Sequence, residues 1–290
     1  MRLTLRQLQV FVAIADHGST GAAGQAIALS QSASSAALQE LEAHFGTPLF
    51  DRIGRRLLLN GHGRALLQPA RALLANAADL ERQLGSDGTD GHASVHLRIA
   101  ASSTIGNYLL PGRIAALLAQ APGADVELRI GNTADVVAAV RRLEVDAGLI
   151  EGPCHAPALQ VLAWQQDPLV LVAAADASAE WTLAQLQQAR WLLREPGSGT
   201  RDAVEQALLP FLQGFPRSLQ LGGTEAIKQA AMAGLGVACL SRHAVQDALA
   251  LGRLRELSAP LPALQRTLWL VRHPDKRWLP GLQTLLGPAG

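Results

Sequence analysis

The chain has 290 residues, a length that suits two or three domains rather than one. Its apolar content of 49% is enough to build real cores and excludes a disordered composition. Formal net charge is only +1, so no global positive field attracts nucleic acid, and any such contact has to come from a local patch. Two cysteines, Cys154 and Cys239, are too few for a disulfide framework and point to a reducing compartment. Met1 to Gln9 lacks the apolar run of a secretory signal, and no stretch approaches the ~18 apolar residues of a membrane span. The expectation is a soluble, cytoplasmic protein with no membrane partner.

Thr4-Leu-Arg-Gln7 has the spacing of a capping box, and behind it Leu5, Leu8, Phe11, Val12 and Ala15 recur at helical spacing up to Gly18. Ser19 can cap a second, short helix through Leu29. Ser30 can cap a third from Gln31 to His44, with Gly46 as its stop. Three short helices with tight joints make a helix-turn-helix candidate. In Thr47 to Leu59, Gly54 separates two short apolar runs, which reads as a hairpin with Arg52, Arg55 and Arg56 crowding its tip. Arginine there suits phosphate or minor-groove contacts.

These blocks carry a resemblance. Leu5-Arg-Gln-Leu-Gln-Val-Phe11, Gly18-Ser19, Ser30-Gln31-Ser32-Ala33, Leu41-Glu42 and Pro48-Leu49-Phe50-Asp51-Arg52 resemble, in order and without a gap, the DNA-binding domain of LysR-type transcriptional regulators. The resemblance implies a winged helix-turn-helix over residues 1–60 on a double-stranded DNA operator, with the third helix in the major groove. Candidate DNA contacts are Thr20, Gln31, Ser32, Ser34, Ser35 and Gln39, with Arg52, Arg55 and Arg56 on the wing. Gln31 can read an adenine edge in bidentate fashion, while serines and a helix N-terminus suit phosphate. Many family members carry a basic residue where this chain has Ala36, and another near Ala22. Losing both predicts modest intrinsic affinity.

Asn60 can cap a helix to about Gly85, in which Leu66, Ala70, Leu73, Ala77, Leu80 and Leu84 alternate spacings of four and three. That seam predicts pairing with a second copy, and a two-fold dimer fits a dyad-symmetric operator. The resemblance adds a dimer of dimers, and RNA polymerase as a possible partner. Residues 61–91 are thus a dimerising helix and hinge, with Gly85 to Gly91 a flexible linker.

From Val95 strands alternate with helices, the sign of a mostly parallel α/β sheet. The pattern predicts strands 95–101, 125–130, 145–150, 168–175, 191–193, 218–221, 236–240 and 267–273. Helices fall between them, one broken at Pro111, with a last one near Trp278 to Leu286. The reading is a two-lobed domain over 92–290, with lobe I at about 92–163 and 267–290 and lobe II at about 164–266. The resemblance supports an architecture like that of type 2 periplasmic binding proteins. A cleft between the lobes would be lined by Ser102, Ser103, Thr104, Asn132, Thr133, Gly197, Ser198, Gly199, Thr200, Arg201, Thr224 and Glu225, all at strand ends or helix starts. Hydroxyls, free backbone N–H groups and helix N-termini there suit a small anion, and no cofactor is expected.

The runs Ala101 to Tyr108, Ile150 to His155, Arg194 to Arg201 and Thr224 to Lys228 resemble the CysL/YeiE-like branch of the family. That branch implies a sulfur oxyanion effector and a role in sulfur metabolism. Glu151 and Glu195 sit awkwardly beside an anion, and gating the cleft, pairing with Arg201 or capping a helix all stay open for them. Three rival readings are weaker. An enzyme lacks its motifs: His62, His92, His96, His155, His243 and His273 are scattered, and Gly197-Ser-Gly199 is not a full nucleophile elbow. A periplasmic binding protein lacks a signal sequence. A thiol redox switch would use Cys154, near the cleft, while Cys239 lies in a predicted buried strand.

Overall fold

The computed structural model describes residues 3–54, 56–85, 95–152, 154 and 156–287, with the side chains of residues 79 and 82–85 excepted. The predicted linker therefore falls, from residue 86 on, outside the described residues, as do Arg55 and the Leu84 side chain. The chain divides into two compact units, Met1–Ala93 and Ser94–Gly290. Among the described residues, no helix is long and apolar enough to cross a membrane.

In the first unit, α1 (Leu5–His17) starts on the capping box: the Gln7 N–H donates to Thr4 Oγ1 at 3.2 Å and the Thr4 N–H to Gln7 Oε1 at 3.0 Å. Gly18 ends it at φ +73°, a conformation only glycine adopts cheaply. α2 (Thr20–Ala26) is three residues shorter at its end than its sequence pattern suggested, and Ala28 makes the turn at φ +54°. α3 (Gln31–Phe45) starts on Ser30, whose Oγ accepts from the Ala33 N–H at 3.1 Å. Leu8, Phe11, Ile14, Leu38, Leu41 and Phe50 form the core these helices share. α2 and α3 touch through small residues: a Cβ on Gly24 would lie 2.7 Å from the Leu29 carbonyl oxygen and 3.0 Å from Ser34 Oγ.

β1 (Phe50–Ile53) and β2 (Arg56–Leu59) form the hairpin, in register from Phe50 opposite Leu59 to Ile53 opposite Arg56. α4 (Gly61–Gly85) follows directly, with Asn60 Oδ1 accepting the Gly63 N–H at 2.9 Å. Its first half belongs to its own domain. Ala70 is fully buried against α1, Leu66, Leu67 and Leu74 are half-buried there, and Arg71 donates to Asp16 at 2.5 Å. The expected uninterrupted seam is corrected at Ala70, because a fully covered side chain leaves nothing for a second copy to touch. Leu73 and Leu80 are 49% and 59% exposed, and Ala77 between them is half-buried.

In the second unit, β3 (His96–Ser102) pairs in parallel with β4 (Asp125–Gly131) and β5 (Ala147–Ile150). A π-helical turn (Ile105–Leu109) precedes α5 (Leu110–Gln120), so Pro111 falls in the first turn of a new helix, where its missing N–H costs nothing. α6 (Thr133–Arg141) leads back to β5. β6 (Gln160–Ala174) is eight residues longer at its start than its sequence suggested. Its first half pairs with β11 (Gln265–Arg272) and its second half with β9 (Ala238–Ser241) and β10 (Leu254–Glu256). One continuous strand thus serves both halves of the unit. Between these come α7 (Leu183–Gln188), β7 (Arg190–Leu193), α8 (Gly199–Leu212), β8 (Arg217–Gln220), α9 (Thr224–Met232) and α10 (Arg242–Ala250). α10 and β10 had not been anticipated. α11 (Pro280–Leu286) returns to the first half, where Leu282 and Leu285 join Leu97, Ile99 and Leu149 in one core. A separate core in the other half is built on Trp191, Leu193, Leu208 and Val237.

The halves approach closely at two glycines, Gly152 and Gly199. A Cβ on Gly199 would lie 2.4 Å from the Gly152 nitrogen and 2.5 Å from Thr133 Oγ1. Gly199→Ala is therefore expected to lower the stability of the second unit by about 1–3 kcal/mol, as overpacking does. Denaturant unfolding of the variant checks this; an unchanged midpoint would mean the glycine contact is loose.

Candidate functional site

In the first unit, Gln31, Ser32, Ser35 and Gln39 share one exposed face of α3 and line a shallow groove with Ala36. Their spacing of one, three and four residues puts them on one side of a helix. Ser34 does not join them. It is fully buried, its Oγ donates to the Ser30 carbonyl at 3.1 Å, and it faces Gly24. Its assignment as a DNA contact is corrected: Ser34 packs the helix pair together. Thr20 is half-buried at the start of α2, and Arg52 and Arg56 are exposed on the hairpin.

In the second unit, the residues expected around a cleft do come together, around two buried arginines that sequence reasoning missed. Arg266, on β11, donates to Asp167 Oδ2 at 2.7 Å, Glu151 Oε2 at 3.1 Å, Thr200 Oγ1 at 3.0 Å and Thr104 Oγ1 at 3.3 Å. Asp167 also accepts from the Ser241 hydroxyl at 2.6 Å. Glu151 accepts from the backbone N–H groups of Thr104 and Ile105, at 2.5 and 3.4 Å, and from the Thr200 hydroxyl. Of the roles left open for Glu151, the structure gives it a helix start and a partner, but that partner is Arg266. Arg201 instead donates to Glu205 at 2.8 Å, to the Arg194 carbonyl at 3.0 Å and to Gln220 at 3.2 Å, so its place in the cleft lining is corrected.

Arg194, 3% exposed at the end of β7, is the second centre. Its Nε and Nη2 each donate to Glu195 at 2.8 Å, a bidentate pair. Its Nη1 donates to Ser103 Oγ and to Thr224 Oγ1, both at 3.2 Å. Ser103 follows β3 in one half and Thr224 opens α9 in the other, so one guanidinium holds a hydroxyl from each. Asn132 Nδ2 reaches Glu195 at 3.5 Å, and Thr133 Oγ1 accepts the Gly199 N–H at 3.1 Å. Gly197 sits at φ +84°, and Ser198, before α8, is buried. Ser102 is also buried, donating to the Leu149 carbonyl at 3.4 Å. Glu225, expected in the cleft lining, is half exposed at its rim and accepts from the Tyr108 hydroxyl and Lys228.

A hydroxyl that accepts from arginine still has its own proton to give. Among the described residues, Ser103, Thr104, Thr133 and Thr224 each accept a hydrogen bond and donate none. Ser103 and Thr224 share the Arg194 guanidinium, whereas Thr104 accepts from Arg266 and Thr133 from the Gly199 N–H. A cavity of about 430 Å³ is lined by Thr133, Arg141, Cys154, Gly197 and Asp202 among others, and not by Arg194, Ser103 or Thr224. Neither cysteine is in a disulfide, and burial pushes the Cys239 thiol up to about 12, which suppresses its thiolate.

Burial alone would push the Glu151 carboxyl up, but Arg266, Thr200 and the Thr104 N–H outweigh it and hold it below the usual glutamate range. A lowered carboxyl stabilises the fold fully above its unfolded value of about 4.3, and this is lost as pH falls through the folded value. Glu151→Ala is accordingly expected to lower the stability of the second unit by about 3–5 kcal/mol at neutral pH, since it leaves Arg266 short of a partner. Repeating denaturant unfolding at successively lower pH should show that difference shrinking; a difference constant with pH would contradict the assignment.

Two family models match the chain. One described as the LysR substrate binding domain covers residues 90–287, and one described as a bacterial regulatory helix-turn-helix protein of the lysR family covers residues 5–64. The HTH-type transcriptional regulator YeiE of Escherichia coli K12 is 46% identical over 289 residues, 99% of this chain and 97% of that one. A full-length OxyR variant from Pseudomonas aeruginosa shares the fold at a TM-score of 0.69 and 24% identity, covering 99% of this chain and 98% of that one. CbnR in complex with its target DNA does so at 0.63 and 20%, covering 99% of each chain. With a helix-turn-helix matched at one end and an effector-binding domain over most of the rest, this chain belongs to the LysR family of transcriptional regulators.

Proposed function

We propose that this LysR-type DNA-binding regulator is controlled by a small oxyanion held at Arg194 between the two halves of its effector-binding domain. The observation that carries this reading is the pair of buried hydroxyls on one guanidinium, Ser103 from one half and Thr224 from the other, each with a proton free to donate. An anion accepting both protons would tie the halves together through a buried cation. Sulfite is the first candidate, because the sequence resembles the CysL/YeiE-like branch and the chain is 46% identical to YeiE. The anion acts by its differential affinity for two arrangements of the halves, and so shifts the placement of paired DNA-binding units on the operator. Leu73 and Leu80, with Ala77 between them, are the surface proposed for pairing with a second copy.

DNA recognition is proposed for Gln31, Ser32, Ser35 and Gln39 on the exposed face of α3, with Arg52 and Arg56 on the hairpin. Gln31 reads a base edge, and the arginines hold phosphates.

Calorimetric titration of the full chain with sodium sulfite is expected to give saturable binding that Ser103→Ala and Thr224→Ala each weaken by about 1.5–3 kcal/mol. Binding unaffected by either change would place the anion elsewhere. Gln31→Ala should cost about 1–3 kcal/mol in discrimination between operator and scrambled DNA, whereas Arg56→Ala should weaken both alike. A filter-binding series on the two DNAs separates these effects, and wild-type behaviour in both variants would refute the assigned face.

A further inference from the structure

The charges around the cleft do not balance. Arg194 and Arg266 are buried there with Glu151 and Asp167, and the partly exposed Glu195 pairs with Arg194, so in these ion pairs two guanidiniums face three carboxylates, a net charge of −1. Arg266 is spoken for on both sides, by Asp167 and Glu151. Arg194 is half spoken for: Glu195 holds its Nε and Nη2, and the two hydroxyls take its Nη1. A ligand at Arg194 therefore meets a cation whose charge is already matched. A dianion in that setting brings two further negative charges into a poorly hydrated region that is negative before it arrives.

Glu195 is also a hydrogen-bond acceptor with capacity left. It is the most exposed of the three carboxylates, and its one contact from across the cleft, Asn132 Nδ2, is long at 3.5 Å. Arg194 holds it below the usual glutamate range, with burial opposing, so it is ionised at neutral pH. It sits on the same planar guanidinium as the Ser103 and Thr224 hydroxyls, on the neighbouring edge. One small oxyanion bound there would have two O–H donors and one carboxylate acceptor on offer.

We infer that Glu195 is a specificity-determining residue, which makes the cleft select an oxyanion carrying a single negative charge and a proton, and reject one that is fully ionised. The accepted ligand donates its proton to Glu195 and takes the hydroxyl protons of Ser103 and Thr224 on its other oxygens. A fully deprotonated sulfate turns only lone pairs toward the carboxylate, and that repulsion is the discriminating element. Hydrogensulfite fits the rule and sulfate does not. The inference rests on the oxyanion reading of the preceding section and adds the protonation state and the residue that reads it.

The test is calorimetric titration of the full chain with sulfite and with sulfate, below and above the second ionisation of sulfite. The groups of the cleft and rim that could titrate alongside the ligand are Glu151, Asp167, Glu195, Glu225, Tyr108, Lys228 and Cys239, and sulfate measured at the same two pH values reports on them. The expected result is that sulfite binds at least about tenfold more tightly than sulfate at the lower pH. Raising the pH should weaken sulfite more than sulfate. Glu195→Gln, whose amide can donate to a lone pair, should cut the sulfite-to-sulfate ratio about tenfold or more by admitting sulfate. Glu225→Gln, on the rim, should leave the ratio unchanged. The inference is overturned if wild type binds the two anions equally, if both respond alike to pH, or if Glu225→Gln shifts the ratio as Glu195→Gln does. Absence of binding of either anion to wild type and to Glu195→Gln alike would instead refute the oxyanion reading beneath it.

Discussion

The effector-binding domain depends on one buried ionic contact, the Arg266 guanidinium between Asp167 and Glu151. It joins strand β11, strand β6 and the end of β5, and through Thr104 and Thr200 it reaches helix starts in both halves. Such a cluster is tolerable in a low-dielectric interior only when each charge is matched and each lone pair engaged. Here Glu151 is met by two backbone N–H groups, a hydroxyl and the guanidinium. Those bonds occupy the helix start at Thr104 with the chain's own carboxylate. Ser103 and Thr224 instead accept from the second arginine, Arg194, and that division of labour is why the proposed ligand is placed there.

The DNA-binding unit follows from a packing constraint. Gly24 and Ser34 let α2 and α3 approach at backbone distance, and their contact fixes which face of α3 remains outside. Gln31, Ser32, Ser35 and Gln39 are on that face because Ser34, Leu38 and Leu41 are on the other. α4 is then tied back by Ala70 and by the Arg71 contact with Asp16, so the helix leaves the bundle in a fixed direction, with Leu73 and Leu80 exposed.

Much of this was legible in the sequence because it is local. Thr4 with Gln7, Ser30 with Ala33, and Gly18 and Gly46 in left-handed conformation are signals within a few residues of one another, and the three helices follow from them. Family blocks at fixed spacing then identified the whole chain. What was illegible depends on distant partners. Arg266 meets Glu151 across 115 positions, and nothing near either residue announces the other. Arg194 had a faint signal, a lone cation at the end of a strand beside hydroxyl-rich loops, which its neighbour Glu195 obscured. Ser34 and Ala70 have the right periodicity for an outward face, and tertiary contact with α2 and α1 turns them inward. The full length of β6 was hidden because each half pairs with different strands and carries a different burial pattern.

On the proposed mechanism, an oxyanion at Arg194 and an operator at α3 act on one equilibrium. The most direct test is the affinity of the full chain for sulfite, measured alone and then saturated with a DNA fragment that the protein has itself selected from random sequence. Thermodynamic linkage predicts that the two values differ by a factor of about 5–150, in the direction set by whether sulfite favours or opposes DNA binding. Equal affinities in the two conditions would show that the two sites are energetically independent and would rule this coupling out.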